Sequence, residues 1–187
     1  MKTNEESQSQ EIEKAAAVLK GGGIVVFPTD TVYGIGCLNS NQEAIGKIYA
    51  IKGRSQTIKF PVLVANETQV EELANVTDQA RDLISKHWPG ALTVVLERKD
   101  GMGTCGFRMP NSSLIQELIE KAGEPIIGTS ANFHTKPSAK TFKQLDPELI
   151  KKVDFVIKGE CKMGMESTVV DATVNPPQVL RQGAVKI

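Results

Sequence analysis

The chain has 187 residues, 22 cationic and 22 anionic side chains, and a hydrophobic share of 40%. That length suffices for one domain with a substantial core, and zero formal charge argues against nucleic acid as the main partner, since such domains usually carry a basic excess. No run reaches signal-peptide or membrane-span length, and the dispersed Cys37, Cys105 and Cys161 make neither a disulfide framework nor a metal spacing, so a reduced, cytoplasmic setting without a protein-held metal is expected.

Residues 1–10 are polar and read as a frayed start. EIEKAAAVLK has helical spacing and stops at Gly21-Gly22-Gly23. Residues 24–28 read as a strand. Ser40 and Glu43 form a capping-box pattern that opens a helix through Ile51. FPVLVA reads as a short buried strand, ETQVEELA and TDQARDLISKHW as helices, ALTVVLE and GFRM as strands. Ser113 and Gln116 suggest a second capping box, with a helix to Ala122. PIIGTS is a strand, TFKQLDPELIKK a helix or one broken at Pro147, and DFVIK, STVVDA and QVLR are short strands. Strands and helices alternate over the first two-thirds, strand follows strand near the end, and no linker splits the chain. This predicts a single α/β domain, residues 1–187, on a mixed sheet flanked by helices.

FPTDTVYGIG (27–36) admits two readings. Pro28 cannot donate to a ladder, and Thr and Asp bond their own backbone in turns, so the stretch could be a plain strand exit. It could also be a ligand floor, with Thr29 and Thr31 sharing one face of extended chain and Gly34 and Gly36 admitting a ligand close to the backbone. GMGTCG (101–106) matches GxGxxG by letter, but a further strand and Pro110 follow where the dinucleotide fingerprint needs a helix. Cys105 could be a nucleophile served by His87 or His134; a buried thiol is the simpler reading. Lys52 and Arg54 of IKGR would aim at the same space, though alone they would be two solvated charges. GTSAN (128–132), MESTVVD (165–171) and VLRQG (179–183) add hydroxyls, an amide, Glu166 and Arg181 at strand ends, where open α/β sheets gather ligands. Together these groups suit a small polar ligand beside a polyphosphate.

PTDTVYG, KGR, TSAN and STVVD, in this order from about Ile12 to Gly183, resemble the YrdC/TsaC family of threonylcarbamoyl-AMP synthases in its short form. The resemblance implies a twisted, largely open mixed sheet flanked by helices and a deep basic cavity. It implies that L-threonine, bicarbonate or CO2, and ATP are joined into threonylcarbamoyl-adenylate with release of pyrophosphate. The product would pass to a threonylcarbamoyl transferase complex for threonylcarbamoyladenosine modification of tRNA. Thr31, Arg108 and Ser167 are implied on threonine, Lys52 and Arg54 on the ATP phosphates as the catalytic pair, and Thr104, Ser130, Asn132, Ser138 and Arg181 on the nucleotide side. Mg2+ is expected to enter on the phosphates. Such a transfer needs positioning and charge, not a side-chain nucleophile. The chain departs from the family pattern at Ser55, in the stretch up to Pro61 that holds Lys59, at Ala65-Asn66 and at His134-Thr135. One alternative is a non-catalytic module for double-stranded RNA or tRNA, which zero net charge and few aromatics oppose. Another is a domain acting on carbamoyl phosphate, of the kind found inside larger chains. Tight tRNA binding by this chain alone is not expected.

Overall fold

The computed structural model describes residues 4–55, 57 and 59–187. Helix α1 (Asn4–Lys20) takes in residues 4–10, so most of the segment expected to fray is helical. Ile12, Ala15, Ala16 and Leu19 recur at three- and four-residue steps and form its buried stripe. Strands β1 (Val25–Phe27) and β2 (Gly34–Leu38) pair antiparallel around the turn at 28–33.

Strand β2 corrects the reading of Gly36 as a ligand-approach point. A Cβ on Gly36 would lie 2.0 Å from the Ile127 carbonyl oxygen, and one on Gly34 2.6 Å from the Phe27 ring. Both glycines serve close packing inside the protein. Gly36→Ala should therefore destabilise the fold by about 1–3 kcal/mol, because backbone must move to admit one methyl. Chemical denaturation checks this, and wild-type stability would show that the two strands yield freely at that point.

Helix α2 (Gln42–Lys52) is capped by Asn41, whose side chain accepts from the Ala44 amide at 3.0 Å; Ser40 does not form the expected capping box. The amide of Ser40 instead donates to Glu124 Oε1. Gly53, at φ 62°, closes the helix in the left-handed region. Then follow β3 (Val62–Leu63), α3 (Glu67–Leu73), the unforeseen short β4 (Ala74–Asn75), α4 (Asp78–His87), β5 (Leu92–Arg98) and β6 (Thr104–Arg108). GMGTCG is thus the β5–β6 hairpin turn running into β6, with Gly101 and Gly103 at positive φ, and no helix opens there. In α5 (Ser113–Ala122) Ser113 is the first helical residue, not the cap, and Ser112 ahead of it makes no side-chain capping bond. Gln116 donates to the Pro110 carbonyl at 3.0 Å in place of a capping box. After β7 (Ile126–Ser130) the helical stretch is broken, with a 3-10 turn at Phe142–Gln144 and α6 (Pro147–Ile150) capped by Asp146. Strands β8 (Phe155–Val156), β9 (Thr168–Asp171) and β10 (Gln178–Arg181) complete the chain.

The ten strands among the described residues form one mixed sheet in the order β10-β9-β5-β6-β3-β7-β2-β1-β8, with β4 on β5. The pairs β1–β8, β3–β6 and β5–β9 are parallel and the others antiparallel. Val26 packs with Ile48 of α2 and Ile84 of α4, whereas its neighbours Val25 and Phe27 pack with α1 and with Leu114, Ile115 and Leu118 of α5. Alternate strand residues thus separate two helical layers. No described helix is long and apolar enough to cross a membrane.

Candidate functional site

A cavity of about 450 Å³ opens on the sheet face that carries Phe27 and Leu63. Thr93 and Val95 of β5, Gly106 and Arg108 of β6, Gly128 to Ser130 of β7, Gly34 of β2 and Val169 of β9 form its wall. The alternation within β5 and β6 follows from the pleat: Val94 and Phe107 face the other way into the core. Four cations, Arg54, Lys59, Arg108 and Arg181, and one carboxylate, Glu166, line it.

The turn after β1 supplies the first group. Thr29 Oγ1 donates to the Val32 carbonyl at 2.7 Å and lies 2.9 Å from Thr31 Oγ1. This is the local turn chemistry of the bland reading, and it also aims hydroxyls into the cavity. Thr31 Oγ1 accepts from Arg108 Nη1 at 2.8 Å. Arg108 Nε donates to the Gly90 carbonyl at 2.9 Å, and Nη2 donates to Asp30 Oδ1. Three of the five guanidinium donors are committed, leaving one proton on each terminal nitrogen. Burial lowers the Arg108 pKa, and Asp30 opposes that shift. Asp30 Oδ2 is buried without a hydrogen-bond partner among the described residues.

A second group gathers at the start of β9. Ser167 Oγ lies 2.8 Å from Thr93 Oγ1 and accepts from Arg181 Nη2 at 3.3 Å. Arg181 also donates to the Ser167 carbonyl at 2.8 Å and to Glu166 Oε2 at 2.7 Å. Glu166 Oε1 accepts from Ser138 at 2.6 Å. Arg181 therefore touches a residue expected on threonine and, through Glu166, connects to one expected on the nucleotide.

The third group is two cations that form no salt bridge among the described residues. Arg54 stacks over Phe60 with 5.8 Å between guanidinium carbon and ring centre. Its Nε is buried without a hydrogen-bond partner among the described residues. Lys59 donates to the Met102 carbonyl beside the start of β6.

Of the sequence candidates, Thr31, Arg54, Arg108, Ser130, Ser167 and Arg181 line the cavity. Lys52, Thr104, Asn132 and Ser138 stand outside the lining. Lys52 is buried, and its three ammonium hydrogens go to the Ser130 carbonyl, the Asn132 carbonyl at 2.9 Å and Asn132 Oδ1 at 2.9 Å. It holds the Thr-Ser-Ala-Asn turn in shape. Burial, then the charge of Arg54, push its pKa down to about 8, with Glu166 opposing. Cys105 is buried and its thiol pKa is raised by burial, which disfavours the thiolate a nucleophile needs. Sequence reasoning gave no role to Asp30, Thr93 or Glu166. Asp30 sits in plain view within PTDTVYG, but its partner Arg108 lies 78 residues on, and only folding reveals the pair.

The Sua5/YciO/YrdC family model, described as telomere recombination, matches residues 17–183. A threonylcarbamoyl-AMP synthase from Pyrococcus abyssi is 34% identical over 98% of this chain and 57% of its own length. A putative threonylcarbamoyl-AMP synthase from Methanocaldococcus jannaschii is 34% identical over 98% of this chain and 91% of its own. The crystal structure of P. abyssi Sua5 complexed with L-threonine superposes with a TM-score of 0.88 at 35% identity, covering 92% of this chain and 54% of that one. The chain thus spans a little over half the length of the P. abyssi relative. The open mixed sheet and four ordered motifs now agree with these similarities: this chain belongs to the Sua5/YciO/YrdC family.

Proposed function

We propose that this cavity joins L-threonine, bicarbonate and ATP into threonylcarbamoyl-adenylate and pyrophosphate, as a nucleotidyltransferase. The observation that carries the reading is one cavity holding two unlike subsites. Arg108, anchored beside Thr31, presents one proton on each terminal nitrogen, a fork suited to a carboxylate. Arg54 and Lys59 form no salt bridge among the described residues, and the carboxylate acting on Lys59, Asp100, is itself held by Arg98, which leaves positive charge for a polyphosphate. The likeness to a Sua5 complexed with L-threonine and to proteins named threonylcarbamoyl-AMP synthase supports the same assignment.

In this reading threonine's neutral amine adds to CO2 and loses a proton, or condenses with bicarbonate and loses water, to give a carbamate, and a carbamate oxygen attacks the α-phosphorus while pyrophosphate leaves. The chain binds and orients the partners and spreads charge over the phosphates, without a covalent intermediate. Thr31, Arg108 and Ser167 hold threonine. Arg54 and Lys59 face the triphosphate, Arg181 stands beside Ser167 and is paired with Glu166, and Ser130 lines the nucleotide side. Lys52, Asn132 and Ser138 act from behind, by fixing Ser130 and Glu166. Mg2+ arrives on the phosphates as part of the substrate. The product goes to a threonylcarbamoyl transferase acting on tRNA in the cytoplasm. Pyrophosphate release with single omissions of threonine, bicarbonate and ATP tests the reaction. Release that ignores threonine would replace it with another adenylation.

Arg54→Ala should lower kcat/KM for ATP about ten- to a hundred-fold, the worth of one charge-assisted phosphate contact. Its guanidinium holds no other side chain by hydrogen bond among the described residues, so the melting temperature should stay within a few degrees. Near-wild-type kinetics would remove Arg54 from the phosphate subsite.

A further inference from the structure

We propose that Asp30 is a specificity-determining residue that sorts anions within the cavity. Its carboxylate anchors and neutralises Arg108, so that this end accepts a single carboxylate and refuses polyphosphate. The inference rests on the reading that Arg108 takes the threonine carboxylate.

The cations of the cavity differ in their pairing along β6. Lys59 meets Met102 just before that strand begins. Arg54 stacks on Phe60, whose carbonyl meets Cys105 at the second residue of β6. Neither has an ion-pair partner among the described residues. Arg108 is the last residue of the same strand, and at about 3.3 Å per residue the two ends are well apart. There Arg108 pairs with Asp30, and Arg181, which acts electrostatically on Arg108, pairs with Glu166. One end therefore carries two cations without a salt bridge among the described residues, Asp100 near Lys59 being held by Arg98, and the other carries two cations each paired with a carboxylate.

An arginine fork fits phosphate as readily as carboxylate. Left uncompensated, Arg108 would attract the triphosphate that must lie elsewhere. Asp30 removes that attraction while fixing the fork for bidentate contact. Its second oxygen, Oδ2, is buried and has no hydrogen-bond partner among the described residues, so its negative charge is not spent on further donors there. Threonine brings an ammonium with its carboxylate and tolerates this setting; a polyphosphate does not.

Inorganic tripolyphosphate is the probe. In the wild-type protein it should compete with ATP and leave threonine binding by calorimetry unchanged within about two-fold. Asp30→Asn keeps an acceptor on the guanidinium and releases its charge. In that variant tripolyphosphate should compete with threonine at least about ten-fold more strongly than in the wild type. A merely structural role for Asp30 weakens binding and cannot create a gain of this kind. Wild-type protein in which tripolyphosphate displaces threonine as readily as ATP would overturn the proposal, even if the variant fails to fold. A folded Asp30→Asn protein with the wild-type competition pattern would do the same. Arg108→Lys separates the two layers of the argument. If it binds threonine as tightly as the wild type, the carboxylate assignment falls and the sorting falls with it; if it binds weakly while Asp30→Asn gains nothing, only the sorting fails.

Discussion

Valine should react up to about 10⁴-fold less efficiently than threonine in kcat/KM, while serine should lose only about ten- to two-hundred-fold. Serine keeps every polar group of threonine and lacks one methyl. Valine keeps the shape and lacks the hydroxyl. The hydrogen bonds of the cavity show why that matters. Thr29 spends its single proton on the Val32 carbonyl, so Thr31 must donate across the 2.9 Å contact between their hydroxyls. Thr31 also accepts from Arg108, which leaves it one free lone pair and no proton. It can therefore receive a donor from the substrate and offers nothing to a methyl group. Ser167 accepts from Arg181 and shares one hydrogen bond with Thr93 in which either hydroxyl can donate. Burying such an acceptor against valine leaves it unpaired. Initial rates with the three amino acids at saturating ATP and bicarbonate decide the matter. Valine matching or exceeding serine would sink the polar-pocket account around Thr31 and Ser167.

Arg108→Met should cost about 3–5 kcal/mol of stability, because it leaves the Asp30 carboxylate buried without its counter-charge. Both side chains are almost wholly shielded, at 8% and 4% exposure for arginine and aspartate. For a chain of this size the melting temperature should fall by roughly 6–20 °C. The double variant Asp30→Asn/Arg108→Met should recover most of that loss, since the charge left stranded is gone. The full cycle, measured by denaturant unfolding, isolates the coupling. A single variant costing under about 1 kcal/mol would mean that water reaches Asp30.

The site was legible where its residues sit in short ordered motifs at strand ends. Thr31, Arg54, Arg108, Ser130, Ser167 and Arg181 converge because an open sheet brings such ends to one face. Lys52 shows where reading by motif differs from reading by period. It follows Ile48 by four residues and Tyr49 by three, both buried, so the helical repeat turns it inward onto the Thr-Ser-Ala-Asn turn. The roles of Asp30 and Glu166 could not be read locally. Each is defined by partners many residues away, Arg108 for one, Ser138 and Arg181 for the other. Strand β2 was missed because two glycines in five residues depress strand propensity; their cause is the Phe27 ring and the Ile127 carbonyl beside them. The capping boxes at Ser40 and Ser113 failed because Asn41 outcompetes one and Gln116 reaches Pro110 in the other.

Strand β10 stands at the rim of the sheet, bonded on one side only to β9 and with all four residues exposed. Yet Leu180 and Arg181 of this strand form part of the cavity wall. The wall is therefore drawn from an element with few buried contacts, whereas β5 and β6 beneath it lie in the middle of the sheet. Peeling β10 from β9 would break the short ladder together with the Arg181 contacts to Ser167 and Glu166, so this side of the cavity is held by polar contacts and not by either apolar layer.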